Sequence, residues 1–397
     1  MNWWWVLIVV VKAVVVFTAV ISAVPILVWF ERRGAGWIQN RRGPNLIDVP
    51  GPFGMIAIGL SILKKSPPGR LELRRYRSAG LIQPIADAIK FALKEDIIPN
   101  RASRLYYIIA PMILITTALL VYAVIPLGPT EPPAGLEGVA IPPQIHGVPV
   151  SFIVAPLNIG VLYILAISGL GIYGIVLAGW ASNSKYSLLG GLRAGAQLIS
   201  YEIPMALAIV GVVLMSGTVD LSEVVAKQSG LFHHWYIVPQ FIGFLVFTAA
   251  MFAETNRLPF DLPEGESEIV AGYHTEYGSM KFMLFYFAEY IAIVTSSMLL
   301  VTLYLGGWTF PGIGHVMRIV AVALTAFHFP AMLVSWGVSL APLVVFAAKV
   351  TVIMAIFVWV RWTLPRFRYD QLMRLGWKVL LPLALINIMI TAAWLVK

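Results

Sequence analysis

The sequence predicts an all-α, polytopic membrane protein, and three observations carry that prediction. Eight apolar runs approach or exceed the roughly 20 residues needed to cross about 30 Å of hydrocarbon. A mean hydropathy of +0.84 with only 12% charged residues lies outside the range of a soluble domain. The charges are also segregated, because 23 of the 28 Lys and Arg fall in alternate segments between the runs. A transmembrane barrel is excluded, since its strands are about ten residues long and alternate in polarity.

In chain order the expected spans are 3–30, 105–126, 152–180, 196–216, 236–253, 282–305, 338–360 and 379–396. Trp3, Trp4 and Trp5 open the first run as an interfacial aromatic belt would. That run ends in Glu31-Arg32-Arg33 and not at small residues, so no cleavable signal peptide is expected. The segments after runs 1, 3, 5 and 7 carry 14, 2, 2 and 5 Lys/Arg. The positive-inside rule makes their side cytoplasmic and puts both termini on the opposite face. The formal charge of +9 therefore reads as membrane topology and not as nucleic-acid binding.

The first cytoplasmic segment, 31–104, is long and mixed. Within it Gly51–Leu63 and Leu81–Leu93 read as amphipathic interfacial helices, separated by KKSPPGRLELRRYR. The Pro- and Gly-rich stretch 127–151 reads as an irregular cap on the outer face. A ninth crossing at 319–336 would carry the basic stretch 361–378 outside. Residues 307–337 are therefore expected as an outer-face loop or re-entrant piece, with Pro330 inside it. No repeat of solenoid period and no inverted repeat stands out.

The segment Glu254–Lys281 breaks the oily pattern. From Glu254 to Glu289, 36 residues hold seven of the nineteen carboxylates: Glu254, Asp261, Glu264, Glu266, Glu268, Glu276 and Glu289. Asp261 followed by Pro263 resembles a helix start, where acidic residues suit the macrodipole. Crowding favours a different reading, because Glu264 and Glu268 stand at i,i+4 with Glu266 between them. Clustered carboxylates share protons, and their pKa values spread upward. Glu202 lies in an otherwise apolar run beside Pro204, and Glu289 lies eight residues into run 6. A carboxylate there is protonated, paired or facing water, which suits either a structural hydrogen bond or a proton relay. Lys349 is an intramembrane cation, and Lys12 is placed to snorkel.

Other chemistries are absent. With no cysteine, the chain offers no disulfide, iron–sulfur cluster or cysteine-ligated zinc. His146, His233, His234, His274, His315 and His328 lack metal-ligand spacing, so no metal is expected. No phosphate-cradling glycine loop or serine elbow is present. Gly169, Gly171 and Gly174 read as close-packing positions.

Several stretches together carry a resemblance: ERRGAGWIQNRRGPN, QPIADAIKFALKED, SYEIP, AETNRLPFDLPEGESEIVAGYHTEYGSMKF and LPRFRYDQLMRLGWKVLLPLAL. The chain resembles the family of the membrane H subunit of bacterial NADH:quinone oxidoreductase, the respiratory complex I. The resemblance implies an eight-helix subunit that does no chemistry alone. It would form the membrane side of a quinone tunnel with the peripheral-arm subunits that carry the terminal iron–sulfur cluster and the quinone headgroup site. Other membrane-arm subunits and lipids would be further partners. Quinone would be the substrate, with no FMN, iron–sulfur cluster or metal bound by this chain. By motif, Glu31, Arg32, Arg41, Asp87, Lys90, Phe260, Arg361, Arg366 and Arg368 would line the tunnel or its docking surface. Glu202, Glu254, Asp261, Glu264, Glu266, Glu268, Glu276 and Glu289 would form an acidic path linking quinone reduction to proton translocation. The setting implied is the bacterial cytoplasmic membrane.

Two departures accompany the resemblance. About thirty residues, 46–78, intervene where the family runs almost directly from RRGPN to GLIQPIADAIKF, and 310–337 is longer than usual. Related hydrogenases and other donor:quinone complexes use a similar subunit. The competing readings are a stand-alone ion transporter, which inverted repeats or half-helices would favour, and a structural anchor, which leaves Glu202 and Glu289 unexplained.

Overall fold

A computed structural model describes residues 3–41, 43–44, 80, 83–130, 141–146, 148–262 and 270–396. Among these, seven helices are long and apolar enough to cross a membrane, and two shorter apolar helices accompany them. The architecture of the described residues is all-α apart from a two-residue antiparallel ladder, β1 (Gln144–Ile145) with β2 (Val148–Pro149).

Helix α1 spans Trp3–Ile38, eight residues past the apolar run, and carries Glu31 and Arg32 on its last turns. It stops where Asn40 takes a left-handed φ of 50° and Arg41 N–H returns to Gly36 O at 2.8 Å. The amphipathic helix expected at 81–93 is α2, Gln83–Leu93. The expected helix at 51–63 and the intervening segment 46–78 lie outside the described residues. Helices α3 (Arg104–Leu120) and α4 (Gly160–Ala181) follow. Gly171 and Gly174 let α4 lie against α3: a Cβ on Gly174 would come within 3.0 Å of Ala110 O.

The central helix is α5, Lys185–Ser216, which starts eleven residues before its expected apolar run. After the short α6 (Leu221–Lys227) comes α7, Phe241–Glu254, of 14 residues. At 1.5 Å per residue α7 covers only about 21 Å. Helix α8, Ser279–Tyr304, is the most enclosed of the long helices. The stretch expected as an outer-face piece contains α9 (Ile313–Ala326) and the start of α10 (Ala331–Thr363), with Pro330 as the N-cap of α10. Met317 and Ala321 of α9 pack on Val334 and Val338 of α10 together with Ile141. The last crossing runs through α11 (Tyr369–Arg374), a π-type turn (Leu375–Leu380) and α12 (Leu381–Leu395).

Hydrogen bonds sort the connections into two ends. At one, Ser103 N–H donates to Ala181 O (3.1 Å) and Phe367 N–H to Pro259 O (3.1 Å). At the other, Val161 N–H donates to Val219 O and Ile237 N–H to Tyr304 O, and Lys12 Nζ donates to Ile153 O at 2.7 Å. Lys349 belongs to this second end as well. Its ammonium donates to the carbonyls of Leu305, Gly307 and Thr309 just past α8, 4.2 Å from the Trp235 ring centre. Carbonyls at a helix end have no partner within the helix, so the intramembrane lysine caps one.

Candidate functional site

The first end of the bundle holds the acidic connection between α7 and α8, and α5 draws it inward. Gln197, fully buried, reaches Ala253 O (2.9 Å), Asn256 Oδ1 (3.2 Å) and Phe260 O (2.9 Å) through its amide nitrogen. Farther along, Gly190 faces the loop backbone so closely that a Cβ would lie 2.5 Å from Gly272 Cα. Gly272 itself takes a φ of +61°. The loop is therefore keyed to α5 by backbone contact as well as by hydrogen bonds.

This keying places Arg257 in the interior, 5% exposed. Its guanidinium is 3.3 Å from Glu289 of α8 and stacks over the rings of Tyr290 (4.3 Å) and Tyr286 (5.3 Å). Burial works against its charge, but Tyr290, Glu289 and Glu31 outweigh that and hold the guanidinium even more firmly protonated than usual. Tyr290 Oη donates to Glu31 Oε2 at 2.8 Å, and Arg361 of α10 donates to Glu31 Oε1. Glu289 also accepts from Tyr273 Oη at 3.2 Å. Side chains from α1, α8, α10 and the loop thus form one buried run of alternating charge: Arg361, Glu31, Tyr290, Arg257, Glu289 and Tyr273. Glu31 and Glu289 each accept a tyrosine hydroxyl, whereas Arg257 Nε and Nη2 have no hydrogen-bond partner among the described residues and the guanidinium is held by its ion pair and by ring stacking.

The run separates two cavities. The larger, about 410 Å³, lies between α1, α2 and α8, with Glu31, Arg32 and Asp87 at its polar edge and Phe91, Met283 and Phe287 among its apolar walls. Arg32 is paired there with Asp87. The smaller, about 120 Å³, lies among α3, α4, α5, α7 and α8, with Glu202, Glu254, Glu289, Asn256 and Tyr273 among its lining residues. Three carboxylates from three helices therefore meet one small cavity whose walls are otherwise mostly apolar. Gly169 makes room for the first of them: a Cβ there would come within 3.0 Å of Glu202 Oε1.

The remaining sequence candidates are distributed around this centre. Asp261 pairs with Arg366 at 3.0 Å. Phe260 is buried between Tyr201 and Phe367. Arg41, Lys90 and Arg368 are exposed at the same end and line neither cavity. Glu276 lines neither as well, although its carbonyl accepts from Tyr107 Oη at 2.7 Å. Glu264, Glu266 and Glu268 lie outside the described residues. Sequence reasoning missed Arg257, Tyr273, Tyr290 and Gln197. The available signal was Arg257 itself, the only Lys or Arg in the acidic stretch before Lys281.

Burial pushes the Asp261 carboxyl up to about 6, with Glu289 adding to the rise and Arg366 opposing it. A carboxyl raised from 3.8 in the unfolded chain holds its proton more tightly when folded. Its stabilising contribution is complete below about pH 4 and disappears as pH rises through about 6. Asp261→Asn is expected to flatten the fall in thermal stability of the complex between pH 5 and 7.5. The gain at pH 8 should be about 2 kcal/mol, read as the half-inactivation temperature at each pH. An unaltered pH profile would contradict the assignment.

Comparisons with known proteins agree on one family. The family model described as NADH dehydrogenase matches residues 68–392. The second of the NADH-quinone oxidoreductase H subunits of Koribacter versatilis is 43% identical over 387 residues, covering 96% of this chain and 94% of that protein. The first H subunit of Solibacter usitatus is 40% identical, with 97% and 96% covered. The H subunit of Leptospira biflexa is 41% identical, with 100% and 97% covered. With a family match across most of its length and relatives that align nearly end to end, the chain belongs to the NADH dehydrogenase family that includes the H subunit of NADH-quinone oxidoreductase.

Proposed function

We propose that, within an NADH-quinone oxidoreductase, the larger cavity is the membrane-side passage for quinone and the smaller one is an acidic compartment for protons. The observation that carries this reading is the buried run joining them. Glu31 borders the larger cavity, Glu289 borders the smaller, and Tyr290 and Arg257 connect the two. A change of charge at the larger cavity's edge then alters the field at Glu289 without a diffusing carrier. Low dielectric in the interior strengthens that influence. The apolar walls suit a long hydrocarbon-tailed quinone, and Arg32, Asp87 and Glu31 supply polar groups for its head.

The loop end is proposed to face the cytoplasm, because it gathers most of the Lys and Arg, with both termini on the periplasmic side. Exposed Arg41, Arg366 and Arg368 would then meet the peripheral-arm subunits carrying the terminal iron–sulfur cluster and the quinone headgroup site. Glu202, Glu254 and Glu289 would hand protons towards the other membrane-arm subunits, with Asp261 and Glu276 on the approach to them.

Arg32→Ala tests the reading directly. It is expected to lower quinone reduction by about tenfold while electron transfer from NADH to a hydrophilic artificial acceptor stays intact. Equal loss of both activities would move Arg32 away from the quinone passage.

A further inference from the structure

Helix α2 forms one wall of the larger cavity, and one side chain at the start of α8 holds its C-terminal end. Ser279 Oγ lies 3.0 Å from Phe91 O and 2.9 Å from Lys94 O. The last carbonyls of a helix have no partner within it, so the hydroxyl proton is shared between two groups in need of a donor. Ser279 is 3% exposed and takes a φ of 53°, a left-handed conformation that glycine adopts more readily than serine. A serine at this strained position is accounted for by what its hydroxyl does.

Neighbouring contacts converge on the same joint. Lys281, two residues on, meets Asp96 just beyond α2 at 2.6 Å. The rings of Phe91 and Phe282 lie 5.8 Å apart. Toward its other end α2 is tied to α1 by Arg32 and Asp87. The face of α2 turned away from the cavity carries exposed Ile89 and Leu93, so no helix among the described residues braces it from behind. Its separation from α8, and with it the width of the cavity, is set by these end contacts.

We infer that Ser279 is a positioning residue whose hydroxyl latches α2 to α8 and sets the fit of the cavity around the hydrocarbon tail of its quinone. This rests on the reading of that cavity as the quinone passage. The residue touches no substrate and acts through α2.

The test uses the full complex in membranes with two variants. Ser279→Ala removes the hydroxyl and keeps the left-handed strain, whereas Ser279→Gly removes both. Both are expected to raise the apparent KM for a long-tailed quinone by about three- to tenfold, the scale of an ordinary hydrogen bond, with kcat little changed. The KM for a short-tailed quinone should move less, and reduction of a hydrophilic acceptor should not move. An unchanged long-tail KM in both variants overturns the latch. So does a loss of kcat that is independent of tail length and parallels loss of assembled subunit, which marks a purely structural role. Ala88→Trp, which fills the cavity, separates the latch from the passage. If it depresses long-tailed quinone reduction while the Ser279 variants do not, the latch alone fails. If it leaves quinone kinetics untouched, the passage reading fails and the latch fails with it.

Discussion

Replacing Arg257 by methionine is expected to be the most damaging single change in the chain. Methionine fills similar volume but removes the cation held between Glu289 and the Tyr290–Glu31 pair. Breaking a buried ion pair leaves an uncompensated charge and costs about 3–5 kcal/mol, a large fraction of a typical folding stability. The expected result is a steep fall in subunit incorporated into the complex, measured by quantitative immunoblotting of native gels. Quinone reduction should fall at least in parallel. Arg257→Lys keeps the charge but loses the flat face that stacks on Tyr290, so it should assemble better yet reduce quinone slowly. Glu289→Gln in the methionine background removes the orphaned charge and should recover part of the assembly. Wild-type assembly and activity in Arg257→Met would show that the buried run carries no weight.

Glu202→Gln is expected to lower proton translocation by about tenfold or more while leaving the subunit assembled. Glutamine preserves the shape that Gly169 accommodates, and it cannot release a proton. Translocation is read as acidification or potential formation in vesicles driven by NADH, normalised to assembled complex. Unchanged translocation would remove Glu202 from the proton path and leave it as a structural group. The geometry makes the result informative because Glu202, Glu254 and Glu289 line one cavity from three helices.

Crossing segments were legible in the sequence because hydropathy reports contact with lipid. Helix ends were less legible for the same reason. Helix α1 continues through Glu31 to Ile38, and α5 begins at Lys185, because turns outside the hydrocarbon can stay helical without being apolar. The acidic cluster announced itself, and Glu202 and Glu289 stood out as carboxylates in oily surroundings. The partner that organises them did not. Arg257 looked like any loop arginine, and Tyr290 like any membrane aromatic. Their meeting with Glu31 joins residues more than two hundred positions apart in the chain. Lys349 showed the converse case: its oddity was visible, while its role as a cap on carbonyls beyond α8 required the packed structure.

The shortness of α7 has an electrical consequence. The loop after it is fastened to Gln197, twelve residues and about 18 Å inward from the start of α5. Gln197 is the second residue of the apolar run of α5, so this bond holds the polar loop at the edge of that run. Moving one elementary charge through a full 100 mV is about 2.3 kcal/mol of work. On the proposed proton path, a proton passed from Glu254 to Glu202, seven residues into the apolar run of α5, would cross part of that drop, and that step would be voltage-dependent. The membrane potential would bias the occupancy of the acidic cavity even before any quinone is reduced.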